Sequence, residues 1–136
     1  MEQDLKTITI LFRAKHGIET FIREDIKRHG LNTTEFGVLE VLYHKGALPV
    51  KVILEKILIA PSSLSYVIQR LVNKNYIDKC QQESDGRSFL ISLTEKGHEI
   101  FSDIYAKHSA RVRERLDRLS KDEEVTLRKL LKKIGK

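Results

Sequence analysis

The 136-residue sequence has no tryptophan, one methionine, two prolines and a single cysteine, and no apolar stretch in it approaches the roughly 20 residues that a bilayer-crossing helix requires. Each scarcity removes a class of protein. One cysteine, Cys80, cannot build an intramolecular disulfide framework, and the opening Met-Glu-Gln-Asp lacks the basic and apolar regions of a secretory signal. The expectation is a protein of a reducing cytoplasm with no membrane association. No nucleophile motif, phosphate loop or carboxylate constellation stands in recognisable context, so a non-enzyme without a cofactor is expected. The five histidines, His16, His29, His44, His98 and His108, include no pair at the four-residue spacing of a helical metal site, so no metal is expected either.

What is present points to one helix-rich globular domain spanning 1–136. Hydrophobic residues make up 40% and charged residues 32% of the chain, interspersed rather than blocked. Lys and Arg number 25 against 19 for Asp and Glu, a formal net charge of +6 that favours polyanionic partners, nucleic acid first.

Apolar residues from Leu5 to Ile26 recur at spacings of three and four, which predicts a long amphipathic helix ended by Gly30. A second helix should be capped by Thr33 or Thr34, turn Phe36, Leu39 and Leu42 inward, and stop at Gly46. Leu48 and Pro49 are expected to open a short third helix, whose run from Val50 to Leu58 is unusually aliphatic. Ala60-Pro61-Ser62-Ser63 reads as a turn and cap, followed by a helix to Asn73.

That helix carries the most information. At 100° per residue, Leu64, Val67, Ile68 and Leu71 share one arc, while Ser62, Ser65, Tyr66, Gln69, Arg70 and Asn73 fall opposite. A merely solvated face would favour Glu and Lys. These side chains instead hydrogen-bond to phosphates and base edges. Capping is the competing duty for Ser62 and Ser63, and an ion pair with a carboxylate on the protein's own surface is the competing role for Arg70. A short strand from Tyr76 to Gln81, a polar tip with Asp85-Gly86 in its turn, and an alternating strand through Phe89, Ile91 and Leu93 predict a hairpin. Thr94 should cap a helix from Glu95 to about Leu119, and Ser120-Lys121-Asp122-Glu123 reads as a capping box opening a last helix.

The stretch Ser63-Leu64-Ser65-Tyr66-Val67-Ile68-Gln69-Arg70-Leu71, with Asp85-Gly86-Arg87-Ser88 and Leu93-Thr94-Glu95-Lys96-Gly97, resembles the multiple antibiotic resistance regulator (MarR) family. The resemblance implies a mainly α fold with a small β-hairpin wing. It assigns a winged helix-turn-helix lobe to about 32–94, flanked by dimerisation helices at about 3–29 and 95–134. It further implies a regulator of transcription, a repressor that binds a pseudo-palindromic double-stranded DNA operator as a homodimer. The expected DNA-binding residues are Ser62, Ser63, Ser65, Tyr66, Gln69, Arg70, Asp85 and Arg87, with Arg87 entering the minor groove and Asp85 steadying it. Asn75 stands where many members carry glycine, and asparagine tolerates the same left-handed backbone. A small aromatic or phenolic effector is implied, with Phe12, His16, Phe36 and Tyr43 as candidate lining or else plain core. Oxidation at Cys80 is the other candidate signal, against the reading of Cys80 as a small core residue on a strand. A protein-protein adaptor and a non-specific DNA-coating protein are the competing functions.

Overall fold

Apolar residues at helical spacing lay down helices over most of the chain, and the computed structural model describes residues 2–57, 61–82 and 85–135. In order they form α1 (Glu2–Arg28), α2 (Thr33–Lys45), β1 (Leu48–Pro49), α3 (Val50–Ile57), α4 (Pro61–Asn73), β2 (Ile77–Gln82), β3 (Asp85–Leu93), α5 (Glu95–Leu116) and α6 (Lys121–Ile134). The expected mainly helical fold with a small hairpin is the one observed. Contacts divide the chain into two units, Met1–Tyr105 and Ala106–Lys136. Among the described residues, no single helix is long and apolar enough to cross a membrane.

The core of the first unit collects the inward positions of every element in it. Ile26 of α1, Phe36, Val38, Leu39 and Leu42 of α2, Ile53 of α3, Leu64, Val67, Ile68 and Leu71 of α4, Ile77, Ile91 and Phe101 are all buried. Removing each such aliphatic or aromatic side chain from water contributes about 1.5–3 kcal/mol. The second unit joins the end of α5 to α6. Ser120 accepts from the Glu123 N–H at 3.1 Å and Glu123 accepts from the Ser120 N–H at 2.8 Å, which is the expected capping box. Arg113 pairs with Asp117 at 2.9 Å and with Glu124, which Arg128 also meets at 2.9 Å. Hydrogen bonding from Arg113, then from Arg128, holds the Glu124 carboxyl below its ordinary value.

Five boundary expectations need correction. The cap of α2 is Asn32, not Thr33 or Thr34: its side chain accepts from the Glu35 N–H at 2.8 Å while Glu35 reaches back to the Asn32 N–H at 3.0 Å. Leu48 and Pro49 do not open α3. They form an edge strand, Leu48 opposite Ile91 and Pro49 opposite Leu90, in a sheet of order β1-β3-β2. Proline is tolerated there because an edge strand need not donate to a second neighbour. Ser62 and Ser63 are not caps, since α4 already includes Pro61; the preceding Ala60 lies outside the described residues. Asp85 and Gly86 belong to β3 rather than to the turn, because Gln82 pairs with Asp85, and the intervening 83 and 84 lie outside the described residues. The helix expected to reach Leu119 ends at Leu116, with a closing turn through the Leu119 N–H to the Leu116 carbonyl at 3.0 Å.

Other expected stops hold. Gly30 and Gly46, at φ of 79° and 81°, end α1 and α2, and Thr94 caps α5 by accepting from the Gly97 N–H at 2.9 Å. Gly97 is buried against the backbone of Tyr76, where an added Cβ would come within 2.0 Å of the Tyr76 carbonyl oxygen. That carbonyl also accepts from the Thr94 N–H at 3.0 Å, so it cannot retreat without cost. Gly97→Ala is therefore expected to destabilise the protein by about 3 kcal/mol in urea unfolding, the upper end of the usual cost of overpacking.

Candidate nucleic-acid interface

α4 starts with proline, whose ring presets helical φ and whose missing N–H would go unpaired in a first turn. Its apolar arc, Leu64, Val67, Ile68 and Leu71, is buried, and α4 packs against α2 and β2. Ser62, Ser65, Tyr66, Gln69, Arg70 and Asn73 are all exposed, as the arc division predicts, and Ser63 is exposed with them. Tyr66 is 64% exposed, unusual for so large a ring. The Gln69 amide donates to Asn73 at 3.0 Å, so part of this face is ordered by its own side chains.

The end of α4 nearest the hairpin is fixed by backbone geometry. The Asn75 N–H donates to the Val72 carbonyl at 2.9 Å and the Tyr76 N–H to the Leu71 carbonyl at 3.0 Å, with Asn75 at φ 64°. This is a Schellman cap, and asparagine supplies the left-handed residue that glycine more often provides. The Thr94 hydroxyl donates to the Asn75 carbonyl at 2.6 Å, tying that turn to the start of α5.

Behind the exposed face lies a carboxylate that the sequence analysis does not single out. Glu35 is 1% exposed, yet it is met on both oxygens. Oε1 accepts from the Asn32 N–H, while Oε2 lies 3.1 Å from the Lys74 ammonium and 3.6 Å from Arg70 Nε. Lys74 also reaches the Gly30 carbonyl at 3.4 Å. Arg70 therefore does pair with a carboxylate of its own protein, the competing role weighed above, while its side chain remains 45% exposed. Hydrogen bonding to Tyr66, then the Glu35 charge, raises the Arg70 guanidinium above its ordinary pKa. The guanidinium carbon lies 5.9 Å from the Tyr66 ring centre. Two signals in the chain were available: Asn32 followed three residues later by Glu35, and the four-residue spacing of Tyr66, Arg70 and Lys74.

Asp85 and Arg87 open β3, but their side chains lie outside the described residues. On the hairpin's β2, the Lys79 ammonium sits 4.2 Å from the Phe89 ring centre. Cys80 is exposed there, which corrects its reading as a core residue: β2 is an outer strand, and in it Ile77 is the residue that reaches the core. The four candidate effector residues divide. Phe12 and His16 are exposed on α1, whereas Phe36 is buried and Tyr43 half-buried. Phe36 and Tyr43 pack on Phe101, with ring centres at 5.1 and 5.4 Å, and Tyr43 also meets His98 at 5.2 Å and Tyr105 at 5.7 Å. Among the described residues, no three His, Cys, Asp or Glu side chains converge on a space for a metal ion.

A helix buried on one side, lined on the other by hydroxyl, phenol, amide and guanidinium groups, and followed directly by a hairpin has the arrangement of a winged helix-turn-helix. Residues 20–104 match the family described as transcriptional regulator SarA/Rot. The chain is 38% identical over 134 residues to the HTH-type transcriptional regulator MhqR of Bacillus subtilis, covering 98% of this chain and 92% of that one. It is 34% identical to the uncharacterized HTH-type regulator YkoM of the same organism, covering 99% and 88%. The crystal structure of AbsC, a MarR family transcriptional regulator from Streptomyces coelicolor, superposes with a TM-score of 0.87 at 23% identity, covering 99% and 93%. A more distant fold neighbour is NadR in complex with 4-hydroxyphenylacetate, with a TM-score of 0.73 at 19% identity, covering 93% of this chain and 89% of that one. The chain belongs to the SarA/Rot family of transcriptional regulators and is an HTH-type DNA-binding regulator of transcription, not an enzyme, with a fold shared by MarR family regulators.

The left-handed turn after α4 sets how that helix meets the hairpin. Asn75→Ala is expected to cost about 1–2 kcal/mol because a Cβ without a local hydrogen-bonding group is penalised at that φ. Asn75→Gly should stay within about 0.5 kcal/mol of the parent, both read as shifts in chemical-denaturation midpoint.

Proposed function

We propose that the chain is a repressor that binds a pseudo-palindromic operator as a homodimer. The observation that carries this reading is the exposed polar row on α4 from Ser62 to Asn73, which offers base-edge donors and acceptors on a helix otherwise packed into the core. In this reading the helix enters the major groove through Ser62, Ser63, Ser65, Tyr66, Gln69 and Arg70. Arg87 enters the adjacent minor groove with Asp85 beside it, where a narrow A·T groove concentrates negative potential.

Two apolar faces support pairing with a second copy. On α1, Leu5, Ile8, Phe12 and Ile18 are exposed; on α6, Leu127, Leu130, Leu131 and Ile134 are exposed. Apolar surface on this scale marks an interaction site rather than a solvated face. A two-fold pair carries two copies of α4, suited to half-sites about 10 base pairs apart. The residues 1–136 then act as one regulatory domain, with the lobe at about 32–94 and dimerisation helices on either side.

Release by a small aromatic anion fits the partly exposed cluster of Tyr43, His44, His98 and Tyr105, and NadR, a neighbour in fold, is solved with 4-hydroxyphenylacetate. Such a ligand acts only through unequal affinity for the DNA-competent and incompetent conformations. Oxidation of Cys80 is the competing signal, and with one cysteine in the chain it would proceed to a sulfenic acid or to a disulfide with another molecule.

Fluorescence anisotropy on DNA from the gene's own upstream region and on a shuffled control, at near-physiological salt, tests the reading. A preference on the order of a thousandfold, weakened by Arg87→Ala, is expected. Equal weak binding to both duplexes would mark a non-specific coating protein or a protein-protein adaptor. In sedimentation equilibrium the chain is expected to run as two copies. Leu130→Glu with Leu131→Glu should shift it to one copy and abolish tight operator binding; a parent that sediments as a monomer at micromolar concentration would remove the dimer.

A further inference from the structure

Glu35 is a costly residue to bury beside a surface meant for DNA. A carboxylate 3.6 Å from Arg70 and 3.1 Å from Lys74 subtracts from the positive charge that α4 offers to phosphates. If Arg70 had only charge to contribute, this neighbour would be a handicap. It becomes useful when the direction of the guanidinium matters more than its charge. Arg70 Nε lies 3.6 Å from Glu35 and the Tyr66 side chain flanks the same guanidinium, so the group is restrained from two sides while the Arg70 side chain as a whole stays 45% exposed. Tyr66, Arg70 and Lys74 follow one another at four-residue spacing, a single stripe along α4 and its cap with the carboxylate beneath its lower two members. With Nε the nitrogen 3.6 Å from Glu35, the outward role is assigned to the two terminal amino groups. That pair is the donor fork that meets O6 and N7 of guanine.

We propose that Glu35 is a positioning residue that sets DNA specificity, holding Arg70 so that its terminal amino groups read one guanine in each half-site. The proposal rests on the reading of α4 as the helix that enters the major groove. Prior restraint of a long side chain lowers the entropy lost when the contact forms, and it penalises bases that do not match the fixed fork. Glu35 itself touches no DNA in this scheme; it acts through Arg70.

Glu35→Gln is the suitable variant because glutamine also serves at the third position of a capping box, so the start of α2 keeps its cap while the negative charge is lost. The probe is a duplex selected by the parent protein from a random DNA pool, together with versions carrying 7-deazaguanine or adenine at each guanine, and a shuffled duplex. For the parent, one guanine per half-site should prove sensitive, and Arg70→Ala should be indifferent to changes at that guanine. Glu35→Gln should reduce discrimination against adenine there by about tenfold, while its affinity for the shuffled duplex stays level or rises because a negative charge has gone. In the Arg70→Ala background, Glu35→Gln should change discrimination no further.

A merely structural role would lower specific and non-specific affinity together, and that parallel loss would overturn the proposal. So would unchanged discrimination in Glu35→Gln. Should Glu35→Gln fail to fold, the parent and Arg70→Ala suffice: no guanine whose sensitivity depends on Arg70 would also overturn it. A parent that selects no preferred sequence from the pool would instead overturn the major-groove reading itself, and the proposal with it.

Discussion

A carboxylate withdrawn from water has to be met by donors on both oxygens, and the way Glu35 is met organises the helix-turn-helix around it. One oxygen closes the first turn of α2, whose leading N–H groups have no partners within the helix. The other draws in Lys74 and Arg70 from the far end of α4. A single side chain thus ties the start of one helix to the end of another, 35 residues further along the chain or more. Breaking either half of this arrangement would leave a buried charge or an open helix end, so the two helices are bound to a common geometry.

The hairpin side of α4 is held by different means to the same end. The left-handed turn at Asn75 reverses the chain, the carbonyls of Asn75 and Tyr76 are taken up by Thr94, and Gly97 lets α5 start in direct contact with the Tyr76 backbone. The C-terminal end of α4 is consequently held by fixed backbone and by the buried Glu35 with its two partly exposed cations. The first turn, with Ser62, Ser63 and Ser65, projects its hydroxyls outward, and Tyr66 leans on Arg70 alone among the described contacts. A rigid base carrying a projecting polar row suits a helix that reads base edges with its leading residues.

Much of this was legible beforehand because it rests on local periodicity. The apolar arc of α4 and its polar opposite face follow from residue order at 100° per step, and burial of Leu64, Val67, Ile68 and Leu71 agrees with it. The left-handed Asn75, the Thr94 cap and the Ser120 capping box are likewise written in short stretches of chain. The misplaced features share a different character. Leu48 and Pro49 become a strand only because β3, more than 40 residues later, pairs with them, and two residues carry no period of their own. Cys80 is exposed while Ile77 of the same strand is buried, a division decided by where β2 meets the core rather than by any neighbour in sequence.

The sequence by itself determined which residues form helices, which face of α4 is polar, where most helices stop, and the family to which the chain belongs. Those properties arise from backbone propensities and spacings that act within a few residues. Only the tertiary structure decided that Glu35 is buried, that Arg70 and Lys74 converge on it, and that Leu48 and Pro49 complete the sheet. Such pairings depend on which surfaces meet when the core closes, and no local rule relates Glu35 to Lys74 across 39 positions.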